Sequence, residues 1–306
     1  MPKPALVFVY LKNRFEAFSL SEALKEKLQV DLPLYDFEFF DSFRKLSERI
    51  EEADYLLTWL FPLELYERDL KLKKIFTPAA GHDWVAHDPR GEIEVVHGAF
   101  HGAMIAESFL GMMLYFNNDY HVSAQHQAQG IWGAGQLKSR RLLRNQSLLI
   151  VGYGKIGRAC AQLVKHLNCR VLGLKRSVEE RVDDLGTEVY HFSQMKELLP
   201  QVDHVLFLLP KHESTDEIFK SEDFGVMKDS AFIYNFGRGN CIDHSVLLAA
   251  LKSKQIAGAG LDVFQTEPLP AGDEIFSLNN VLVTPHSSCF FEEYLDLFIE
   301  SLKSSL

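Results

Sequence analysis

Cysteine is scarce in this 306-residue chain: Cys160, Cys169, Cys241 and Cys289 lie far apart and form no C-x-x-C pair. That spacing excludes a disulfide framework and a thiolate metal site, and it fits a reducing, cytoplasmic setting. No run of five or more basic residues offsets the 42 acidic against 32 basic side chains, a formal charge of -10. A chain of that sign repels phosphate backbones, so no nucleic-acid partner is expected. Long apolar runs are missing as well. The opening MPKPALVFVY is followed by Lys12 and Arg14 and is too brief for a signal core or a membrane span, so it reads as a strand, with no membrane association expected. Repeats and low-complexity segments are absent, and the length fits about two domains.

What the chain does have is alternation. From residue 147 onward, β-rich apolar runs (SLLIVG, RVLGL, TEVYHF, DHVLFLLP, SAFIYNFG, GAGLDVF, NVLVTPH) are separated by mostly helix-length segments, one of them opened by Asp243 as N-cap. Alternating strand and helix implies a parallel, doubly wound sheet. The first hundred residues repeat the rhythm through ALVFVY, helices near 20 to 29, 42 to 52 and 63 to 70, and the strands DYLLTW, KKIFT and EIEVVHG. The segment HGAMIAESFLGMMLYFNNDYH is apolar on most faces and predicts a long buried linking helix, and the last twenty residues predict one amphipathic helix. The fold class is therefore α/β, with two doubly wound domains.

Gly152, Gly154 and Gly157 form G-x-G-x-x-G, with Tyr153, Lys155 and Ile156 between and beside them, directly after the SLLIV strand and opening a helix. The first glycine permits a tight turn, the second lets backbone approach a diphosphate, and the third lets helix and strand pack closely. In that context the motif predicts dinucleotide binding. About 20 residues past the glycines, NAD sites place a carboxylate for the ribose 2'-hydroxyl. This chain has Leu174, Lys175, Arg176 and Ser177 there, two cations and a hydroxyl suited to a 2'-phosphate. NADP(H) is therefore favoured over NAD(H).

Three further segments place polar residues at strand ends, where open α/β sheets bind ligands. NFGRGN sets Arg238 between glycines, LDVFQTEP carries Asp262 and Glu267, and VTPHSS carries His286. Each has an ordinary reading as a loop cap, an exposed carboxylate or a satisfied histidine. Together they supply a carboxylate anchor, an imidazole acid and base, and a carboxylate that holds the imidazolium. His97 and His101, spaced i, i+4 in HGAFH, lack the glutamate of H-E-x-x-H, and they read as a helix entry with one solvated histidine. No metal site is expected.

The glycine loop, LLP at 208 to 210, GRG at 237 to 239, LDVF-x-x-EP at 261 to 268 and PH at 285 to 286 together resemble the D-isomer-specific 2-hydroxyacid dehydrogenase family. The likeness covers nearly the whole chain and is nearest to the glyoxylate and hydroxypyruvate reductase branch. It implies a Rossmann dinucleotide domain over 100–287 and a smaller flavodoxin-like substrate domain over 1–99 plus 288–306. It also implies that Arg238 binds the carboxylate and carbonyl of a 2-oxo acid, His286 donates the proton, and Glu267 is its partner. Asp262 then faces the nicotinamide, Leu209 and Pro210 line the adenosine side, and Phe236, Gly237 and Ser288 fall among the cofactor contacts. In the first domain, ADYLLTW at 53 to 59 and AAGHD at 79 to 83 look like the pocket strand and the substrate-carboxylate loop. The amides of Ala80 and Gly81 would hold the carboxylate, and Trp59 would be a pocket wall or plain core.

The expected activity is NAD(P)-dependent reduction of a small 2-oxo acid to the D-2-hydroxy acid by hydride transfer, by a homodimer. The alternative is a non-catalytic dinucleotide-sensing protein on the same scaffold. Two features depart from the family: His82 stands where many members carry a small aliphatic residue, and the chain stops at Leu306, which implies a shortened tail.

Overall fold

The computed structural model describes residues 4–82, 84–133 and 140–306. The chain forms two compact units, Met1–His101 with Phe290–Leu306, and Gly102–Cys289. Both are built on wholly parallel sheets.

The first unit holds β1 (Ala5–Tyr10), β2 (Tyr35–Phe39), β3 (Tyr55–Thr58), β4 (Lys74–Thr77) and β5 (Glu94–His97), in the order β2-β1-β3-β4-β5. This is the flavodoxin-like order. Val7, Phe8 and Val9 of β1 are buried in succession, as a parallel strand covered on both faces requires. Helix α1 (Glu22–Asp31) starts where the Ser21 hydroxyl accepts the Leu24 N–H, and α2 (Phe43–Arg49) follows β2. The C-terminal helix, Tyr294–Leu302, buries Tyr294, Leu295, Phe298, Ile299 and Leu302, a helical stripe, and pairs Asp296 with Lys27 of α1.

Three elements of this unit differ from what the sequence predicts, among them the C-terminal helix, which spans nine of the last twenty residues. β2 was not anticipated: Tyr35, Phe37 and Phe39 alternate with Asp36 and Glu38, but this strand lies at the sheet edge, with no residue fully buried. The helix expected near 63 to 70 is a 3-10 segment, Leu63–Glu67, that buries only Tyr66 and so has no apolar face to extend.

The second unit holds β6 (Ser147–Val151), β7 (Arg170–Lys175), β8 (Glu188–His191), β9 (His204–Phe207), β10 (Phe232–Asn235), β11 (Gly258–Leu261) and β12 (Val281–Val283). Their order is β12-β11-β10-β9-β6-β7-β8, so the winding reverses between β6 and β9. All five residues of β6 are buried. Leu149 and Val151 join Val205, Phe207 and Ile233 on one face, and Leu148 and Ile150 join Leu206 and Tyr234 on the other. The second face is covered by α3 (Gly102–Asn117), which contributes Phe109, Met113 and Phe116.

The linking helix predicted as one piece ends at Asn117. Asp119 turns left-handed, at φ 52°, and α4 (Tyr120–Ala128) begins. α3 packs on α5 (Lys155–Lys165), close enough that a Cβ on Gly102 would come within 2.9 Å of Ala159. The crossovers after β8 and β9 carry only one-turn helices, α6 (Met195–Leu198) and α7 (Ser221–Phe224), flanked by 3-10 turns. Before β11 comes α8 (His244–Lys252), whose cap Asp243 accepts the Val246 N–H as the sequence predicts.

Buried polar groups on the α3 face are paired. His204 meets Gln146 at 2.5 Å and the Tyr234 hydroxyl at 3.2 Å, and burial pushes its pKa down to about 4.

Candidate active site

The glycine loop sits at the carboxyl end of β6, at the point where the winding reverses. Gly152 has φ +102°, and a Cβ there would lie 2.8 Å from the Leu208 carbonyl, so only glycine fits. Gly154 caps α5, and a Cβ there would meet nothing within 4 Å. Its outer side is open. Arg158 donates the first bond of α5, to the Gly154 carbonyl, which leaves the amides of Lys155, Ile156 and Gly157 ahead of the helical ladder. An open cradle at the positive end of an eleven-residue helix fits a dinucleotide diphosphate.

Tyr153, between the first two glycines, packs inward. Its ring is buried against Gly173, its N–H goes to the Leu174 carbonyl, and its hydroxyl contacts Asp183 at 2.7 Å and Thr187 at 3.0 Å. Its side chain fixes the glycine loop against β7.

At the end of β7, Lys175 is half-buried with its Nζ 5.9 Å from the Tyr153 ring, while Arg176 and Ser177 are exposed. Among the described residues Arg176 forms no ion pair. On the other side of β6, Leu209 is buried and Pro210 exposed. Gly237 lets this segment close in, because a Cβ there would lie 2.5 Å from both N and O of Leu209. Phe236, buried, precedes it.

Asn235, which the sequence reading passed over, shapes the arginine loop. Its Oδ1 accepts the Gly237 N–H at 3.1 Å, and its Nδ2 donates to the Arg238 carbonyl at 3.1 Å. A polar residue ending a buried strand, directly before F-G-R-G, was the available signal. Arg238 is half-buried and donates back to the Gly237 carbonyl at 2.9 Å. Gly239 passes against the 264–265 backbone, where any Cβ would overlap Phe264.

Asp262 plays a part the sequence did not suggest. It is 1% exposed, and its Oδ1 accepts the Thr284 hydroxyl at 2.5 Å and the Ser287 N–H at 2.8 Å, while Oδ2 accepts the Ser288 N–H at 3.2 Å. Both carboxylate oxygens are thus spent on the turn that carries His286. Ser288 is buried, and its carbonyl accepts the Ser108 hydroxyl at 2.9 Å. The turn holds His286 left-handed, at φ 52°, a conformation few side chains adopt without such support.

Glu267 and His286 meet directly, with Oε2 2.8 Å from Nδ1, and Glu267 Oε1 accepts the Phe264 N–H at 2.8 Å. Bonding to Glu267 raises the imidazole above its usual value; burial opposes this, the charges of Glu267 and Asp262 reinforce it, and Arg238 opposes it. Burial works to raise the Glu267 carboxyl, but the bonds to His286 and to the Phe264 N–H outweigh it, and the group lies below the usual carboxylate range. A carboxylate on Nδ1 fixes Nε2 as the nitrogen that exchanges protons, and Nε2 has no partner among the described residues.

In the first unit, Ala80 and Gly81 are half-buried beyond β4, at the carboxyl edge of that sheet, and Asp83 of the AAGHD motif lies outside the described residues. Trp59 ends the β3 segment, 6% exposed; its Nε1 donates to the Phe18 carbonyl, and its ring stacks on Tyr294 at 5.7 Å. The plain-core role for Trp59 is thus present. His101 is not the solvated residue of a helix entry: it is buried, bonds the Tyr294 hydroxyl at 2.9 Å, and burial lowers its pKa to about 4.

A parallel sheet with a glycine cradle at its reversal point and an acid-held histidine beyond its edge strand β12 defines a dinucleotide-dependent oxidoreductase. The chain belongs to the D-isomer specific 2-hydroxyacid dehydrogenase family, whose NAD-binding-domain model matches residues 110–288. Family members act on CH–OH groups with NAD or NADP, and this chain is such a dehydrogenase. It is 29% identical over 277 residues to a glyoxylate reductase of Pyrococcus furiosus, covering 81% of this chain and 77% of that protein. A solved D-isomer specific 2-hydroxyacid dehydrogenase of Xanthobacter autotrophicus Py2, in complex with NADPH and MES, superposes with a TM-score of 0.80 at 25% identity, covering 99% and 96% of the two chains. A D-lactate dehydrogenase of Aquifex aeolicus, complexed with NAD and lactic acid, shares the fold with a TM-score of 0.74 at 22% identity, covering 98% and 93%.

Proposed function

We propose that this protein is an NADPH-preferring reductase of small 2-oxo acids, glyoxylate and hydroxypyruvate foremost, that yields the D-2-hydroxy acid. The observation that carries the reading is the 2.8 Å Glu267–His286 pair, with Nε2 left for the substrate. The glyoxylate reductase relative supports the substrate class, and the NADPH-bound neighbour supports the cofactor, together with Arg176 and the absence of a carboxylate at 174–177.

The dinucleotide would lie across the 102–289 unit, its diphosphate on the amides of Lys155, Ile156 and Gly157 and its 2'-phosphate near Lys175, Arg176 and Ser177. When bound, it supplies the hydride. Arg238 pairs with the carboxylate of the acid and stabilises negative charge growing on the carbonyl oxygen. His286 delivers its Nε2 proton to that oxygen, and Glu267 keeps the imidazole charged until it does. Asp262 positions His286 through the 284–288 turn. Ala80 and Gly81 of the first unit are assigned the acid's carboxylate from the family resemblance, and residues 1–99 with 288–306 are assigned substrate binding.

A cytoplasmic setting fits the four unpaired cysteines. A homodimer follows from the family resemblance, with the apolar α3 as its supposed seam, and that helix sets Ile105, Phe109, Met112, Met113 and Phe116 in the core of its own unit. Light scattering of the purified protein measures the state directly.

Arg176→Ala should raise the KM for NADPH at least tenfold with little change for NADH. Equal effects on both cofactors would remove the 2'-phosphate assignment. Dinucleotide binding with no turnover of any 2-oxo acid would favour the sensing alternative.

A further inference from the structure

Three histidines of one 16-residue stretch, His82, His87 and His97, converge at the carboxyl edge of the first unit's sheet. His82 follows β4, His97 is the last residue of β5, paired in register with Thr77, and His87 lies on the segment between. One ring nitrogen from each falls within 4.8 Å of the others, and His82 Nδ1 is 3.1 Å from His87 Nε2. We propose that these three imidazoles form a binding site for a first-row divalent transition metal, with Zn2+ as the natural occupant.

Bonds of about 2.0 to 2.1 Å at tetrahedral angles place ligand nitrogens roughly 3.3 Å apart. The His82–His87 pair is already near that edge. The wider separations close when the exposed His82 ring turns off the His97 ring, on which it stacks at 4.0 Å. The other two ligands are held by the scaffold. His97 is fixed in the β-ladder, and His87 is pinned on both sides: the Tyr66 hydroxyl donates to the Ala86 carbonyl at 2.8 Å, and the buried Asp88 carboxylate accepts the N–H groups of Arg90, Glu92 and Ile93. Two anchored ligands and one on a loop cost little ordering on binding.

An all-imidazole set selects zinc, copper or nickel over magnesium and calcium, which demand oxygen. Three protein ligands leave a fourth tetrahedral position for water or an anion. Neutral imidazoles put no charge of their own against the ion's, and the chain's net -10 compensates at longer range.

The test is titration of the metal-stripped, full-length protein with Zn2+ against a chromophoric chelator, repeated with Co2+ to read coordination from its visible spectrum. The expected result is one equivalent per chain with a tetrahedral Co2+ spectrum. His82→Ala and His87→Ala, both at exposed positions, should each weaken binding at least about 100-fold, beyond what outer-shell changes cost. His166→Ala, an exposed histidine outside the cluster, should leave it unchanged. Absence of saturable binding, an octahedral Co2+ spectrum, or binding that survives both cluster substitutions would overturn the proposal.

Discussion

His286 shows how one contact sets a reaction's pH range. Its pKa is raised above about 6.5 by the bond to Glu267, so the imidazole holds the proton that reduction consumes to higher pH than an unpaired one would, and activity should fall as pH rises through the shifted value. Glu267→Gln removes the charge but keeps a hydrogen-bonding group. The alkaline limb of kcat/KM for reduction should therefore move to lower pH, read from steady-state profiles. An unmoved limb would mean that the limb does not report His286. The same pair adds stability in a defined window. The histidine's contribution is complete below about 6.5 and is lost as pH rises from there through its raised folded value, while the carboxylate's is complete above about 4.3 and is lost as pH falls from there through its depressed one. Asp262 acts through that histidine. Asp262→Asn leaves one acceptor for a turn that used two, so unfolding should cost roughly 1 to 3 kcal/mol less and kcat should drop, with dinucleotide affinity nearly kept.

At the scale of elements, the glycine loop separates what folding needs from what a ligand needs. Gly152→Ala forces a Cβ at φ +102° toward the Leu208 carbonyl and should destabilise the unit by about 1 to 3 kcal/mol, seen in thermal melts. Gly154→Ala meets open space at φ -93° and should leave the melting temperature nearly unchanged while weakening NADPH binding, because only the diphosphate needs that room. A large stability loss at Gly154 would contradict this division.

These positions were legible from the sequence because each obeys a local backbone rule: a strand, a turn that tolerates no side chain, a helix start. The core strands of both sheets were legible for the same reason, as unbroken apolar runs. β2 was not, since an edge strand carrying Asp36 and Glu38 lacks that run. Asn235, the turn-holding role of Asp262 and the His82–His87–His97 cluster were hidden for another reason. Their meaning lies in which loops the sheet order brings together, and no spacing in the chain encodes that.

Across the whole molecule, each unit buries a neutral histidine, His101 in the first and His204 in the second, both lowered to about 4 by burial. Between about 6.5 and 4 the unfolded chain takes up protons that the folded units refuse, so stability should fall with decreasing pH, by up to on the order of 3 kcal/mol for each histidine. Denaturant melts at pH 7 and pH 5 check this, and His204→Gln should flatten the dependence of the second unit. A pH-independent midpoint would contradict it.

The most direct test of the central claim follows NADPH oxidation by the purified protein with glyoxylate and hydroxypyruvate near neutral pH, beside His286→Ala, with NADPH affinity measured for both. The expected result is one NADPH consumed per 2-oxo acid reduced by the native protein, at least about a 100-fold loss of kcat in the variant, and equal NADPH affinity in the two. Reduction that persists in His286→Ala, or NADPH binding by the native protein with no acid reduced, would contradict the account.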